Sequence, residues 1–252
     1  MNQIEQNRRF MHCPSFKEGM AQSDQSKEVP APPFGREPKG ATIVLPSFEG
    51  VSLNGDYLKL LDTRRSKRKY DASPMSQEQL AFILWSVQGM QEIRGGGVAT
   101  LRPVPSGGAR HPFETYITVK NVTGLEPGIY LYHPAVNIGE KVCTIEKMGD
   151  FPGDEKISEM LAGQRWACDA PVVFLYSCVP YKAEWRYVNM AHRVMLIDLG
   201  HLGQNAMLSA EALGLGSCCM AAFDQSACDA VLGLDGIDEY MVYAISVGKP
   251  LD

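Results

Sequence analysis

Arg64-Arg65-Ser66-Lys67-Arg68-Lys69 gathers five cations around one hydroxyl in a chain whose formal net charge is −5. Such a run suits three roles: a nucleic-acid or address patch, a solvated charge run at a helix edge, or a phosphate grip built from guanidinium forks. Ser66 points to the third, because a short hydroxyl dilutes a pure charge tract yet donates well to a phosphate oxygen at close range. A second segment, Pro105-Ser106-Gly107-Gly108-Ala109-Arg110-His111-Pro112, puts small residues in a row. Small residues let a flat ligand approach backbone N–H donors, and they equally suit a tight helix-to-strand connection. A third, Ala212 to Met220, ends in the vicinal pair Cys218-Cys219, which reads either as a redox pair or as two small buried apolar residues. Nucleophile-elbow, Walker-loop, HExxH and strand-bounded GxGxxG signatures are missing.

The rest of the composition narrows the setting. Of 252 residues, 45% are hydrophobic and 21% charged, the balance of a globular protein with a sizeable core. The acidic net charge argues against a dedicated nucleic-acid or anionic-membrane binder, so the basic run is local. No stretch approaches the roughly 18 consecutive apolar residues that span a bilayer, and the start lacks an apolar signal core, which predicts a cytoplasmic protein. Seven cysteines (Cys13, Cys143, Cys168, Cys178, Cys218, Cys219 and Cys228) and five histidines show no metal-ligand spacing, so reduced thiols and no metal are expected.

The elements that must position these segments follow from periodicity. Residues 1–50 hold Pro14, Pro30, Pro32, Pro33, Pro38 and Pro46 among polar residues and read as an extended arm, stiff at Val29–Pro33 and suited to lie across a surface, including a partner subunit's. Ser76-Gln77-Glu78-Gln79 is a capping box that opens a helix stopped at Gly89. Arg94 to Gly108 reads as a long irregular loop. Strands are expected at Thr115–Val119, Ile129–Tyr132, Val172–Val179 and Tyr240–Val247, the third doubly covered and central. A long helix over about Asn189–Leu213 is apolar on most faces, with Gly200 and Gly203 suggesting close approach of another backbone. Strands interleaved with helices indicate one α/β or α+β domain.

Four segments in order, R-R-S-K-R at Arg64–Arg68, P-S-G-G-A-R-H-P at Pro105–Pro112, D-L-G-H-L-G-Q-N at Asp198–Asn205 and A-L-G-L-G-S at Ala212–Ser217, together resemble the FMN-dependent nitroreductase family. Within it they are similar to the SagB-type, azoline-oxidising dehydrogenase branch. The resemblance covers about residue 60 to the C-terminus and implies an α+β fold with a central mixed β-sheet flanked by helices. It further implies a homodimer with FMN at the subunit interface, formed by a nitroreductase-like domain over residues 51–252.

By position, the resemblance assigns Arg64 and Ser66 to the FMN phosphate, Arg65 to phosphate or ribityl chain, and Arg68 to the pyrimidine edge, where a cation stabilises reduced flavin. Pro105, Ser106, Gly107 and Ala109 match the loop that reaches the other subunit's FMN; Cys219, Met220 and Ala221 match the segment against the flavin ring. Lys67 would face away. No catalytic side chain is implied, since the flavin N5 handles hydride. The function implied is hydride transfer, with NAD(P)H as donor and a nitroaromatic or quinone as acceptor. The alternatives are a SagB-type dehydrogenase that oxidises a heterocycle with O2 as acceptor, and a non-catalytic flavin-binding protein. The partner is then a small-molecule substrate and not a nucleic acid or a membrane.

Overall fold

The apolar run Val172–Cys178 forms strand β7, buried along its whole length as its composition requires, and the sheet is built outward from it. The structure is a computed structural model describing residues 2–12, 17 and 20–251; Cys13 and Pro14 lie outside the described residues. On one side of β7 come β4 (Phe113–Val119), β5 (Gly128–Tyr132), β6 (Cys143–Asp150) and β1 (Thr42–Leu45); on the other, β9 (Tyr240–Gly248) and then β8 (Gly216–Met220). All six pairings between these strands are antiparallel. A parallel bridge from Ser66 to Ser217 adds the basic segment to the free edge of β8, so the sheet edge is mixed there. The stretch expected to be an irregular loop contains most of a small hairpin, β2 (Glu92–Arg94) with β3 (Ala99–Leu101).

Two apolar layers cover the sheet. On one face, α3 (Gln77–Gln88) and α6 (Ala191–Ala212) pack over Phe174, Tyr176, Ile245 and Val247. Ser76 caps α3 through the expected box, accepting from the Gln79 amide while the Gln79 side chain accepts from the Ser76 amide. On the other face, α4 (Asp154–Met160) and α7 (Gln225–Leu232) pack over Val173, Leu175 and Ala244. The 22-residue α6 is not buried all round within the chain. Leu196 and Ile197 are 58% and 53% exposed and continue through Gly200, His201 and Gln204 as one solvent-facing stripe. Gly203 meets the Tyr243 ring, which a Cβ would approach to 2.8 Å, whereas Gly200 faces open space. Short α-helices among the described residues also include α1 (Gln3–Phe10), α2 (Tyr57–Thr63) and α5 (Tyr181–Tyr187). No helix among the described residues is long and apolar enough to cross a membrane.

The proline-rich arm folds back over its own chain and contributes edge strand β1. Its carbonyls accept from side chains of the folded body: Val29 from Trp185 Nε1 at 2.9 Å, Pro32 from Arg110 at 3.2 Å, and Phe34 from Lys182 at 3.2 Å and Arg102 at 3.3 Å. Proline removes donors but leaves carbonyls exposed, which is what these buried cations need. Further along, Glu146 accepts from the Lys39 amide at 3.0 Å and from Gly40, and from His133 Nε2 at 2.9 Å. Burial works against the Glu146 charge, but these donors outweigh it and hold the carboxyl below its ordinary value. A lowered carboxyl stabilises the fold fully above the unfolded value of 4.5 and loses that contribution as pH falls through the folded value. The protection factors of the Lys39 and Gly40 amides in hydrogen exchange should therefore drop as the pH falls below the ordinary carboxyl value while those of β7 persist. Unchanged protection at those two amides would contradict this account.

Candidate functional site

The basic run begins where α2 ends. Asp56 caps α2 by accepting from the Lys59 amide, and Arg64 closes its C-terminus, where a cation complements the helix dipole. From there the backbone turns extended and runs beside β8: the Lys67 amide donates to the Ser217 carbonyl at 2.9 Å, and the Leu251 amide to the Lys69 carbonyl at 3.1 Å. Tyr70 locks this register. Its buried hydroxyl donates to the Lys67 carbonyl at 2.7 Å and meets Ser246 Oγ at 2.8 Å, and burial raises its pKa. Gly216 is needed here, since a Cβ would approach the Lys67 stem to 2.8 Å.

Alternation along this extended segment sorts the side chains. Ser66 and Arg68 reach the Cys218 thiol, and the Arg68 guanidinium lies 5.7 Å over the Trp166 ring. Arg64 bears on Cys219, whose thiol also meets the Tyr243 hydroxyl. Lys67 packs against Gly216 instead. Arg65 is exposed and bonds back to the Arg64 carbonyl at 2.8 Å. Among the described residues no carboxylate pairs with Arg64, Arg65 or Arg68, while Lys249 is taken by Asp71 at 3.4 Å. Three cations and a hydroxyl without counter-charge fit a phosphate dianion. Burial pushes Cys219 up to about 11 and raises Cys218, so both thiols stay protonated at neutral pH and the vicinal pair is two small side chains, one buried and one half-buried, rather than a nucleophile.

Next along β8 comes the segment compared with the ring-facing one. Cys219 is half-buried, Ala221 is exposed, and the Met220 side chain points into the apolar cluster of the α4–α7 face. A planar ligand at this edge would therefore meet backbone and Ala221 rather than the Met220 side chain. The turn is tied down by Gln164, which donates to the Ala222 carbonyl at 2.7 Å.

The loop Pro105–Pro112 sits elsewhere in the same chain. Ser106 Oγ donates to Asp198 Oδ2 at 2.7 Å and accepts from the His111 amide at 2.9 Å, and the Gly107 amide donates to Asp198 at 3.0 Å. Burial raises the Asp198 pKa against these bonds. Gly107 abuts Val194, Gly108 (φ 60°) abuts Arg186 and Tyr187, and Ala109 follows at φ 53°. Pro105 is exposed at the loop's start. His111 is driven down to about 2, first by burial and then by the Arg102 charge, so it stays neutral. The grip lies at the other end of α6, where Thr63 donates to Glu211 at 2.7 Å. At 1.5 Å per residue, Asp198 and Glu211 are about 20 Å apart along the helix, so one chain by itself does not bring loop and grip together.

Sequence reading missed Tyr70, Trp166 and Gln164 as the residues that hold this edge. Tyr70 had a signal, since it follows Ser66 and Arg68 at the strand period of two. Trp166 and Gln164 had none.

An α+β fold with a row of uncompensated cations on a sheet edge, next to a segment that exposes backbone, offers a place for a flat anionic ligand. The family comparison makes the class definite. The chain belongs to the nitroreductase family, whose model matches residues 61–249. It is 30% identical to MJ1384, a candidate nitroreductase of Methanocaldococcus jannaschii, over 83% of this chain and 97% of that protein. It is 32% identical to the trifolitoxin-processing protein TfxB of Rhizobium leguminosarum bv. trifolii over 59% of this chain and 39% of TfxB. In fold it is similar to a Desulfovibrio desulfuricans nitroreductase-type protein solved in complex with FMN, with a TM-score of 0.52 and 18% identity over 79% of this chain and 88% of that one.

Proposed function

We propose that the chain is an FMN-dependent oxidoreductase that works as a homodimer, passing hydride through the flavin from NAD(P)H to a small electrophile such as a nitroaromatic or a quinone. The observation that carries this reading is the row of cations without a carboxylate partner beside β8, with Arg64, Ser66 and Arg68 gathered on the Cys218–Cys219 edge. FMN, when bound, supplies hydride transfer at N5. The chain's part is to bind and orient: Arg64, Arg65 and Ser66 hold the phosphate end, Arg68 steadied on Trp166 sets a positive charge at the ring, and the backbone from Cys219 to Ala221 flanks it. The FMN-bound relative supports the choice of flavin.

The exposed stripe of α6 supports the homodimer. Two copies related by a twofold axis would cross these helices antiparallel, setting the Asp198 end of one, with Pro105, Ser106, Gly107 and Ala109, opposite the Glu211 end of the other, with its grip. Likeness to TfxB favours a second reading, a SagB-type dehydrogenase that oxidises a heterocycle with O2 as acceptor.

Spectroscopy separates the readings. The purified protein should carry or take up FMN, lose the visible flavin bands on mixing with NAD(P)H, and recover them with a nitroaromatic or quinone. Slow reduction by NAD(P)H combined with rapid reoxidation by O2 selects the second reading. Tight FMN without turnover on any donor selects a non-catalytic flavin protein, and no FMN uptake on titration ends all three.

A further inference from the structure

Most guanidiniums inside this fold are accounted for. Arg36 pairs with Glu239, Arg102 bonds to Gln88, Thr100 and the Phe34 carbonyl, and Arg110 bonds to the carbonyls of Lys182, Val98 and Pro32. Arg186, in the last turn of α5, is the exception. Its Nε is out of contact with solvent and has no hydrogen-bond partner, and among the described residues no carboxylate pairs with it. The side chain lies against the Tyr187 ring, 5.6 Å from the centroid. Its charge also reaches another cation, since Arg186, after burial, depresses the pKa of Arg110. A buried N–H left unpaired and a cation set beside a cation are both unfavourable in the absence of an anion.

The backbone around Arg186 is also held in sparsely populated conformations. Val188, two residues on, has φ 49° and ψ −125°, a region that a β-branched residue occupies only under constraint. Across from it, Gly108, Ala109 and His111 have φ of 60°, 53° and 46°. Gly108 is what allows the approach, because a Cβ there would come within 2.7 Å of Arg186 Cδ and 2.8 Å of Nε. Strain of this kind concentrates where a fold holds groups for a ligand.

We propose that Arg186 receives the oxyanion, a carboxylate or a phosphate, of the second molecule that enters the flavin site. The inference rests on the flavin reading, in which the Gly107–Ala109 loop faces the partner's cofactor. Arg186 lies directly against that loop, and its planar fork suits either anion. The ligand class is thus an anionic substrate or a phosphate-bearing electron donor.

The test uses purified FMN-loaded protein and two matched probe pairs, 4-nitrobenzoate with 4-nitrobenzamide, and NADPH with NADH. Binding is followed by ligand-observed NMR. The anionic or more highly phosphorylated member of one pair should bind about tenfold tighter, and this preference should shrink with added salt. Arg186→Gln should erase it and Arg186→Lys should keep part of it, with FMN content unchanged and the melting temperature nearly so, because only the contact with the Tyr187 ring is lost and no hydrogen bond or ion pair within the chain. Loss of the benzoate preference identifies a substrate carboxylate; loss of the NADPH preference identifies the donor's extra phosphate. The proposal is overturned if the wild type prefers neither anion, or if both ratios in Arg186→Gln stay within about twofold of wild type. Should Arg186→Gln not fold, the same criterion applies to Arg186→Lys, where an undiminished ratio overturns it. Absence of FMN from the wild type defeats the flavin reading instead, and the anion preference is then scored by the same NMR on the flavin-free protein.

Discussion

Replacing Arg64 or Arg68 with Ala should weaken FMN binding by about 10- to 100-fold, the loss expected when a charge-assisted hydrogen bond to an anion is removed. Arg64 bears on Cys219 and Arg68 on Cys218, so each removal leaves the other in place and the double replacement should exceed either single one. Lys67→Ala is the internal control. The Lys67 stem packs on Gly216 and its backbone amide, which Ala retains, makes the bond to Ser217, so FMN retention should not change. Trp166→Leu should fall between, because Arg68 keeps its charge but loses the ring it lies over. Fluorescence titration of flavin-free protein reads all five variants. Equal affinities for the Arg64, Arg68 and Lys67 variants would dismiss the basic run as a solvated face.

The largest effect on stability should come from Lys182→Met. Lys182 is 4% exposed, pairs with Glu114, itself 3% exposed, and donates to the Phe34 carbonyl of the arm. Burial lowers the Lys182 pKa against the pull of Glu114, so the pair is held by mutual compensation rather than by hydration. Removing one partner strands a buried carboxylate, which costs about 3–5 kcal/mol and should lower the melting temperature by about 6–20 °C in a chain of this size. The Lys182→Met/Glu114→Leu double replacement should recover part of that loss, because the stranded carboxylate is gone, while Arg102 loses the support of Glu114 and keeps its bonds to Gln88 and Phe34. Protection of the Phe34–Arg36 amides should stay reduced in both variants if Lys182 also clasps the arm. A Lys182→Met protein with wild-type stability would show that the pair is not a buried charge pair at all.

How far the sequence could be read depended on whether a segment's information was local. The capping box at Ser76, the apolar run of β7 and the 3.6-residue repeat of α6 each specify an element from within, and each lies within two residues of the predicted place. Strand β6 escaped because Glu146 interrupts its apolar face, a carboxylate buried only because His133 and the Lys39 and Gly40 amides come to it from elsewhere. Strand β8, Gly216-Ser217-Cys218-Cys219-Met220, has weak strand propensity and exists through its pairing with β9 and the Ser66–Lys67 backbone. The arm was legible as proline-rich, but the expectation that it is extended from residue 1 differs from the structure, where Asn2 and Glu5 form a capping box that opens helix α1 at Gln3–Phe10. Its destination was not legible, since that depends on buried cations more than 60 residues away in the chain.

The sequence alone determined the chemistry available: guanidiniums and a hydroxyl in one short run, a small-residue loop, protonatable but unclustered histidines, and an ordered set of segments that indicates the nitroreductase family. Tertiary structure decided which of those groups are free to act. It left the opening run of cations without counter-charge along the edge of β8, and it closed the Ser106 hydroxyl between Asp198 and the His111 amide. It also set loop and grip at opposite ends of α6 and kept an unpaired N–H on Arg186. Side-chain type is a property of one position, whereas pairing, burial and charge compensation depend on which distant residues the fold brings alongside.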